Sequence, residues 1–369
     1  WLAPFSNCTL PTFFPMFPLF RDIVIREQIE IVHAHQDSSP MSYEALFHAH
    51  SMGLKTCFTS HSLFNIYDVA SIHLNKILVG NLASVSKIIA VSNTCRVNLI
   101  ERFGLRTEKV TTIPNAVDAS YFTPDPSLKD PFPTINIIVI NRMVYRKGAD
   151  LVAQVVPRIC LKYPNVNFII GGDGPKRLLL DEMRERYQLH DRVELLGSIP
   201  HTEVRQVLCR GSLFLNCSLT ESFCIAILEA ASCGLFVVST RVGGIPEILP
   251  PDMISFAASP SADDIVSAIS VALESPLDRD PFECHSRVKD MYSWNDVAMR
   301  TCMLYDDILS MKQLSFTARL HFAFDAGPVA GLLNILFIAV DAIILSLLDW
   351  WRPKESIEIV HDCSQELMK

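Results

Sequence analysis

The 369-residue chain predicts an α/β protein built from two doubly wound, parallel-sheet domains and closed by one long apolar helix. Three observations carry that expectation. Short apolar runs alternate with longer helical patterns, and the alternation occurs twice. A proline-rich acidic stretch separates the two series. An apolar run of bilayer length follows both.

In the first series, strands are expected at Ile29–Ala34, Lys55–Ser60, Lys87–Val91 and Val110–Ile113. Helices at Tyr43–Met52, Ser71–Ser84 and Asn93–Phe103 lie between them. The apolar stripe of the second helix suits core packing better than contact with lipid. Residues 1–117 thus read as a domain short by one or two βα units. Pro4, Pro11, Pro15 and Pro18 break up its opening, and no charged stretch precedes an apolar core, so no signal peptide is expected.

Residues 118–133 carry Pro124, Pro126, Pro131 and Pro133 among acidic residues, which is linker chemistry. The alternation restarts in residues 134–290. Strands are expected at Ile135–Ile140, Val166–Ile170, Val193–Leu196, Ser212–Leu215 and Phe236–Ser239. Helices are expected at Ala149–Lys162, Lys176–Gln188, Thr202–Arg210, Ile225–Ser232 and Ser261–Glu274. Trp294–Lys312, within the helical stretch 291–326, is placed to cross back to the first domain. The apolar segment occupies residues 327–350, with Pro328–Leu348 able to span a bilayer. Trp350, Trp351, Arg352 and Lys354 suit the interface at its end. Asn334 and Asp341 count against a plain span, because an acid in lipid is costly. Residues 351–369 form a tail whose orientation is not set by charge, since basic residues flank both ends of the segment.

A net charge of −8 provides no global basic field, so a nucleic-acid partner is not expected. Phosphate affinity must come from local cations. The eleven cysteines form no C-x-x-C pair and no zinc-spaced cluster. Cys209, Cys217, Cys224 and Cys233 lie in apolar stretches and read as small buried hydrophobes in a reducing compartment. No metal site or other cofactor is expected. Asn7 and Asn216 match the glycosylation sequon, but Asn216 ends a buried strand, which makes that match accidental.

The chemistry concentrates in the second domain. Arg142 and Lys147 follow the apolar run Ile135–Ile140 and open a helical stretch. Two cations at a strand end, beside free helix N–H groups, suit a diphosphate. Glu221 and Glu229 are a little over two helical turns apart, which would put both carboxylates near one face. Glu229 stands among Ile227, Leu228, Ala230 and Ala231, where an unpaired carboxylate is expensive and a ribose diol would satisfy it. Gly172 and Gly174, between a strand and a helix, let backbone approach a ligand, and Gly243-Gly244 is a second turn of this type. In the first domain His61 ends a strand and could reach a donor sugar across a cleft. His33, His35, His48 and His50 receive no role.

Arg142-x4-Lys147-Gly148, Gly172-x-Gly174-Pro175, Glu221-x7-Glu229 and Ile113-Pro-Asn-Ala-Val-Asp118 together resemble the family 4 retaining glycosyltransferases of GT-B fold. From about residue 20 onward the likeness sharpens. Glu44-Ala-Leu-Phe-His-Ala49, Tyr145-Arg-Lys-Gly148, Phe168-Ile-Ile-Gly-Gly172, the run Arg184–Val193 and Ser239-Thr-Arg-Val-Gly-Gly-Ile-Pro-Glu247 resemble the branch that initiates glycosylphosphatidylinositol (GPI) anchors. That resemblance implies two Rossmann-like domains facing a cleft and a C-terminal transmembrane helix. It implies transfer of N-acetylglucosamine from UDP-GlcNAc to phosphatidylinositol, with retention and without a metal. It also implies a multisubunit complex in the endoplasmic reticulum membrane, with the catalytic domains in the cytosol. By motif, Arg142 and Lys147 would neutralise the departing diphosphate, and Glu229 would hold the ribose. Glu221 and His61 would contact the donor sugar, and backbone N–H groups of Ser222, Phe223 and Cys224 would assist. The family often has glycine where Cys224 stands. Its opening Gly-Gly loop has no counterpart before residue 20, so the first domain is expected to be truncated. Two other readings fit the same residues: a catalytically dead truncated member of that complex, or a family 4 transferase with another donor or acceptor.

Overall fold

The computed structural model describes residues 2–3, 8–9, 14–37, 39–63, 82–274, 279–324 and 328–360. The expected helix Ser71–Ser84 falls largely outside them. The chain divides into two compact units, Trp1–Ile113 with Met299–Lys369, and Pro114–Ala298.

In the first unit a two-residue ribbon pairs β1 (Leu2–Ala3) with β2 (Cys8–Thr9). Helix α1 (Phe17–Arg26) follows. The prolines of this region argued against a helix, but Pro18 sits in the first turn, where no amide donor is needed. Strands β3 (Ile31–His35), β4 (Lys55–Ser60), β5 (Lys87–Ala90) and β6 (Val110–Thr112) form a parallel sheet in that order. Helix α2 (Pro40–Met52) is capped by the Ser39 hydroxyl and ends at Gly53 in the left-handed conformation. Helix α3 (Asn93–Phe103) repeats the device with Ser92 and Gly104. Phe58, Ile88, Leu99 and Val110 build the core beneath them.

The second unit is a six-stranded parallel sheet. Its strands are β7 (Ile135–Ile140), β8 (Val166–Gly171), β9 (Val193–Gly197), β10 (Leu213–Asn216), β11 (Phe236–Thr240) and β12 (Ile254–Ala257). Their spatial order is β12-β11-β10-β7-β8-β9. Helices α4 (Ala149–Lys162), α5 (Arg177–Arg186), α6 (His201–Cys209), α7 (Ile225–Ser232) and α8 (Ala262–Glu274) connect or follow the strands. The sequence did not declare β12, a four-residue edge strand interrupted by Ser255. It also missed α9 (Pro281–Met291), whose start is an Asp280 cap followed by proline. The winding goes outward from β7 to β9, then returns to β10 beside β7. Strand order therefore reverses between β7 and β10, the place where doubly wound sheets open a crevice at their carboxyl ends.

Helix α10 (Trp294–Ser310) enters the first unit at Met299. Helices α11 (Phe316–Phe324) and α12 (Pro328–Trp351) complete that unit. Within α12, Gly331–Trp351 is long and apolar enough to cross a membrane. Its costly Asp341 is buried against the protein, with Oδ2 2.8 Å from His48 Nδ1 on α2. Near its end Asp349 accepts from the fully buried Arg21 of α1 at 2.6 Å, and Arg352 pairs with Asp22 at 2.6 Å. Leu332, Leu336, Ile343, Leu347 and both tryptophans are exposed.

Candidate functional site

The loops leaving β7 and β10 meet at the reversal point. After Ile140 the chain makes a 3-10 turn, Tyr145–Lys147, and enters α4 through Gly148 at φ +74°. A Cβ on Gly148 would stand 1.9 Å from the Cys217 carbonyl oxygen, so only glycine allows the contact. Leu219 N donates to Arg146 O at 2.9 Å and locks the same two loops together. This brings Lys147 to Glu221, whose Oε1 accepts the Lys147 ammonium. Ser218 Oγ lies 2.9 Å from both Glu221 Oε1 and Asn216 Oδ1, and its single proton can serve one of them. Thr240 Oγ1 donates to Ser218 O at 2.5 Å, and Gly244 N to Glu221 O at 2.9 Å. Glu221 is 9% exposed and held from three strand ends, β7, β10 and β11. The ammonium spends one of three donors on the pair, leaving two for anionic oxygens. Arg142 is exposed, and among the described residues no hydrogen bond or ion pair engages its guanidinium.

Gly172 and Gly174 sit at φ +126° and +152° in the loop after β8. Their close approach is to protein backbone: added Cβ atoms would lie 1.7 Å from Asn141 O and 2.6 Å from Met143 O. Met143 N to Asp173 O and Lys176 N to Met143 O, each 2.9 Å, fasten this loop to the one bearing Arg142. The glycines thus set where that cation stands.

Helix α7 begins at Ile225, with Cys224 as its N-cap. Glu221 therefore precedes the helix by a turn, and the helical spacing expected between it and Glu229 does not apply. What places Glu221 is the bend after β10. Ser222, Phe223 and Cys224 are buried in that bend. Phe223 packs edge-on to Tyr292 at 5.9 Å between ring centres, and burial pushes the Cys224 thiol up to about 12. Glu229, one turn into α7, is mostly buried, and desolvation raises its carboxyl above the usual range against the pull of His201. His201 Nε2 is 3.7 Å from its Oε1.

His61 belongs to the first unit, just past β4, where it meets a cluster absent from the expectations. Its Nε2 is 3.2 Å from His35 Nδ1, and the His33 ring stacks on His35 at 4.3 Å. His33 is held by Tyr305 Oη at 2.6 Å and Thr59 Oγ1 at 2.8 Å. Asp37 Oδ2 accepts from the backbone amides of His61 and Ser62 at 2.8 and 2.9 Å. Burial lowers all three imidazoles, with repulsion from neighbouring rings added at His33 and His61: His33 falls from 6.5 to about 4, and His35 and His61 shift the same way. His48 and His50 lie inside α2 and are buried.

Sequence reasoning missed Asp37, Ser218 and His201. Asp37 stands two residues past a strand end, which is a usable signal. Nothing local announces Ser218 or His201, which acquire partners only through tertiary contact. Among the described residues no group of three or more His, Cys, Asp and Glu side chains is arranged to hold a metal ion.

Residues 129–287 match the family of glycosyl transferases group 1, and residues 2–68 match the PIGA family of GPI anchor biosynthesis. The solved sucrose-phosphate synthase of Thermosynechococcus elongatus aligns with a TM-score of 0.68 at 17% identity, covering 84% of this chain and 82% of that one. Anabaena HepE, solved with UDP and glucose, aligns at 0.66 and 17%, covering 82% and 84%. These likenesses establish the GT-B fold. The A subunit of phosphatidylinositol N-acetylglucosaminyltransferase from Arabidopsis thaliana is 48% identical over 98% of this chain and 80% of its own length. The human protein of the same name is 46% identical over 98% of this chain and 75% of its own length. With near-full-length identity of this order, the chain belongs to the PIGA family, the phosphatidylinositol N-acetylglucosaminyltransferase subunits of GPI anchor biosynthesis.

Proposed function

We propose that this chain transfers N-acetylglucosamine from UDP-GlcNAc to phosphatidylinositol with retention of configuration. The observation that carries the reading is the Lys147–Glu221 pair at the reversal point of the six-stranded sheet, with the unengaged Arg142 on the adjoining loop. Lys147 and Arg142 neutralise the diphosphate as the bond from the anomeric carbon to the phosphate oxygen breaks. Fixed cations where charge develops lower the barrier. The inositol hydroxyl attacks from the face the diphosphate leaves, and the leaving phosphate takes its proton. Glu221, its Oε1 tied to Lys147, offers Oε2 to sugar hydroxyls. Glu229 accepts from the ribose diol, whose hydroxyls offset the burial of its carboxyl. Gly172 and Gly174 hold the cation loop, and the Ser222–Cys224 backbone faces the donor. His61 is assigned to the donor sugar on the family resemblance alone. In this scheme protein cations carry the charge role, and no metal or other cofactor takes part.

The relatives are named as subunits, which supports work within a membrane complex. We place that complex in the endoplasmic reticulum membrane, with the two parallel-sheet domains facing the cytosol and α12 as the anchor. The test is transfer of labelled N-acetylglucosamine to phosphatidylinositol, in membranes of cells that lack their own PIGA protein and express this chain. A lipid product that disappears with excess UDP, but not GDP, is expected. Absence of product with the chain present in the membrane would overturn the reading.

A further inference from the structure

The first unit contains a cavity of 300 Å³ at the amino ends of its strands, the end opposite His61. Its walls come from the starts of β4 and β5, the turn before β6, the end of α2 and the segment joining α10 to α11. Six cations line it: Lys55, Lys87, Arg106, Lys109, Lys312 and Arg319. Two carboxylates pair with them, Asp307 with Lys87 at 2.9 Å and Glu108 with Arg106 at 3.6 Å. Other contacts are to carbonyl oxygens, which carry only partial charge. Lys55 Nζ donates to Met311 O at 2.5 Å, Lys109 Nζ to Ala83 O at 2.5 Å, and Arg319 to Ser51 O at 2.8 Å. His50, 5% exposed on the cavity wall, has no partner for its buried Nε2, and Arg319 Nε is likewise unpartnered. A buried donor such as Arg319 Nε costs free energy unless something accepts from it.

A solvated basic face would spread such charges over open surface. Here they converge on a concave site, and four of them, Lys55, Lys87, Lys109 and Arg319, are only partly exposed. Burial and the neighbouring Arg319 and Lys109 charges pull His50 down to about 4, and burial pulls Lys109 down to about 7. Burial is the larger cause of both shifts, and the neighbouring cations add to it with the same sign.

We propose that this cavity binds a phosphorylated anion, a second anion site separate from the one that takes the nucleotide diphosphate. Phosphate oxygens would accept from Arg319 and Lys109 at once, as charge-assisted hydrogen bonds. The source is a lipid headgroup or a soluble phosphate compound. Arg319 lies on α11, which packs against the apolar α12, so the site borders the part of the unit suited to lipid.

The test uses the intact chain in neutral detergent or added to vesicles. Binding is compared for phosphatidylcholine vesicles and vesicles of equal parts phosphatidylcholine and phosphatidic acid, and thermal stabilisation is measured with inorganic phosphate and with inositol hexakisphosphate. Arg319→Gln with Lys109→Gln removes the inner cations. Arg106→Gln with Lys312→Gln removes only exposed ones and leaves the fold intact. The expected result is phosphate-dependent binding that falls about tenfold in the inner variant and severalfold in the outer one. A drop on phosphatidic acid vesicles alone identifies a lipid headgroup. Loss of stabilisation by the soluble phosphates identifies a soluble ligand. Should the inner variant fail to fold, the outer one decides. Equal binding by wild type and outer variant, on vesicles and with both soluble phosphates, overturns the proposal.

Discussion

Both units gather polar residues at the carboxyl ends of parallel strands, but the two ends are electrically opposite in character. Beyond β7 and β10 the centre is charged: Lys147, Glu221 and an unengaged Arg142. Beyond β3 and β4 the imidazole cluster is neutral: burial above all keeps its three rings uncharged, while the Asp37 carboxylate beside it accepts from backbone amides. A charged centre suits the stabilisation of a leaving diphosphate. A neutral one suits hydrogen bonding to hydroxyls without attracting ions. The contrast teaches that the same strand-end geometry acquires opposite chemistry from which side chains are crowded together.

The strongest way to break the comparison is at the charged centre. Glu221→Ala and Lys147→Ala should each lower transfer about 100- to 1,000-fold. The double variant should lose little more than either, because the pair acts as a unit. Fully additive losses in a transfer assay would show that the two side chains work independently. Next comes the loop that places Arg142. Gly172→Ala puts a Cβ 1.7 Å from Asn141 O at φ +126° and should destabilise the second unit by about 3 kcal/mol. A melting curve unchanged from wild type would remove the glycine's assigned task.

The neutral centre is sharpened by acid. The folded His33 pKa is depressed from 6.5 to about 4, so between those values the unfolded chain binds the extra proton. Stability then rises with pH across that window and is lost as pH falls through it, by up to about 3 kcal/mol. His33→Gln should flatten the slope of unfolding free energy against pH. His50 titrates over the same range, so a residual slope is expected. The smallest effect belongs to Ser218→Ala. Glu221 then loses a donor it shares with Asn216, at a cost of up to about 1 kcal/mol, read as a severalfold fall in transfer.

Legibility in the sequence followed how local each feature is. β4, β7, α3, α4 and α7 were readable to the residue, because each has its own apolar pattern, with Gly104 closing α3 and Gly148 opening α4. α1 was not, because Pro18 looks like a breaker unless its place in the first turn is known. At the site, Arg142, Lys147 and Glu221 stand out as charges beside buried strands. Their arrangement does not, since the Lys147–Glu221 contact depends on Gly148 meeting Cys217 across two loops. At Gly172 the sequence suggests backbone approach to a ligand, and the structure adds a close approach to Asn141 that no sequence pattern announces. The imidazole cluster was least legible, as His35 and His61 are brought together only by the register of β3 with β4.

The polar contacts of α12 carry a practical consequence for anyone handling this protein. A terminal apolar helix is commonly treated as a handle that can be cut away to yield a soluble enzyme. Here Asp341 completes His48 and Asp349 completes Arg21, a guanidinium with no exposure to water. Cutting before Pro328 would take Asp341 from His48 and Asp349 from Arg21, and uncover the sides of α1 and α2 they lie on. The route to a water-soluble form is to repaint the outer stripe, Leu332, Leu336, Ile343 and Leu347, with polar residues while the helix stays in place.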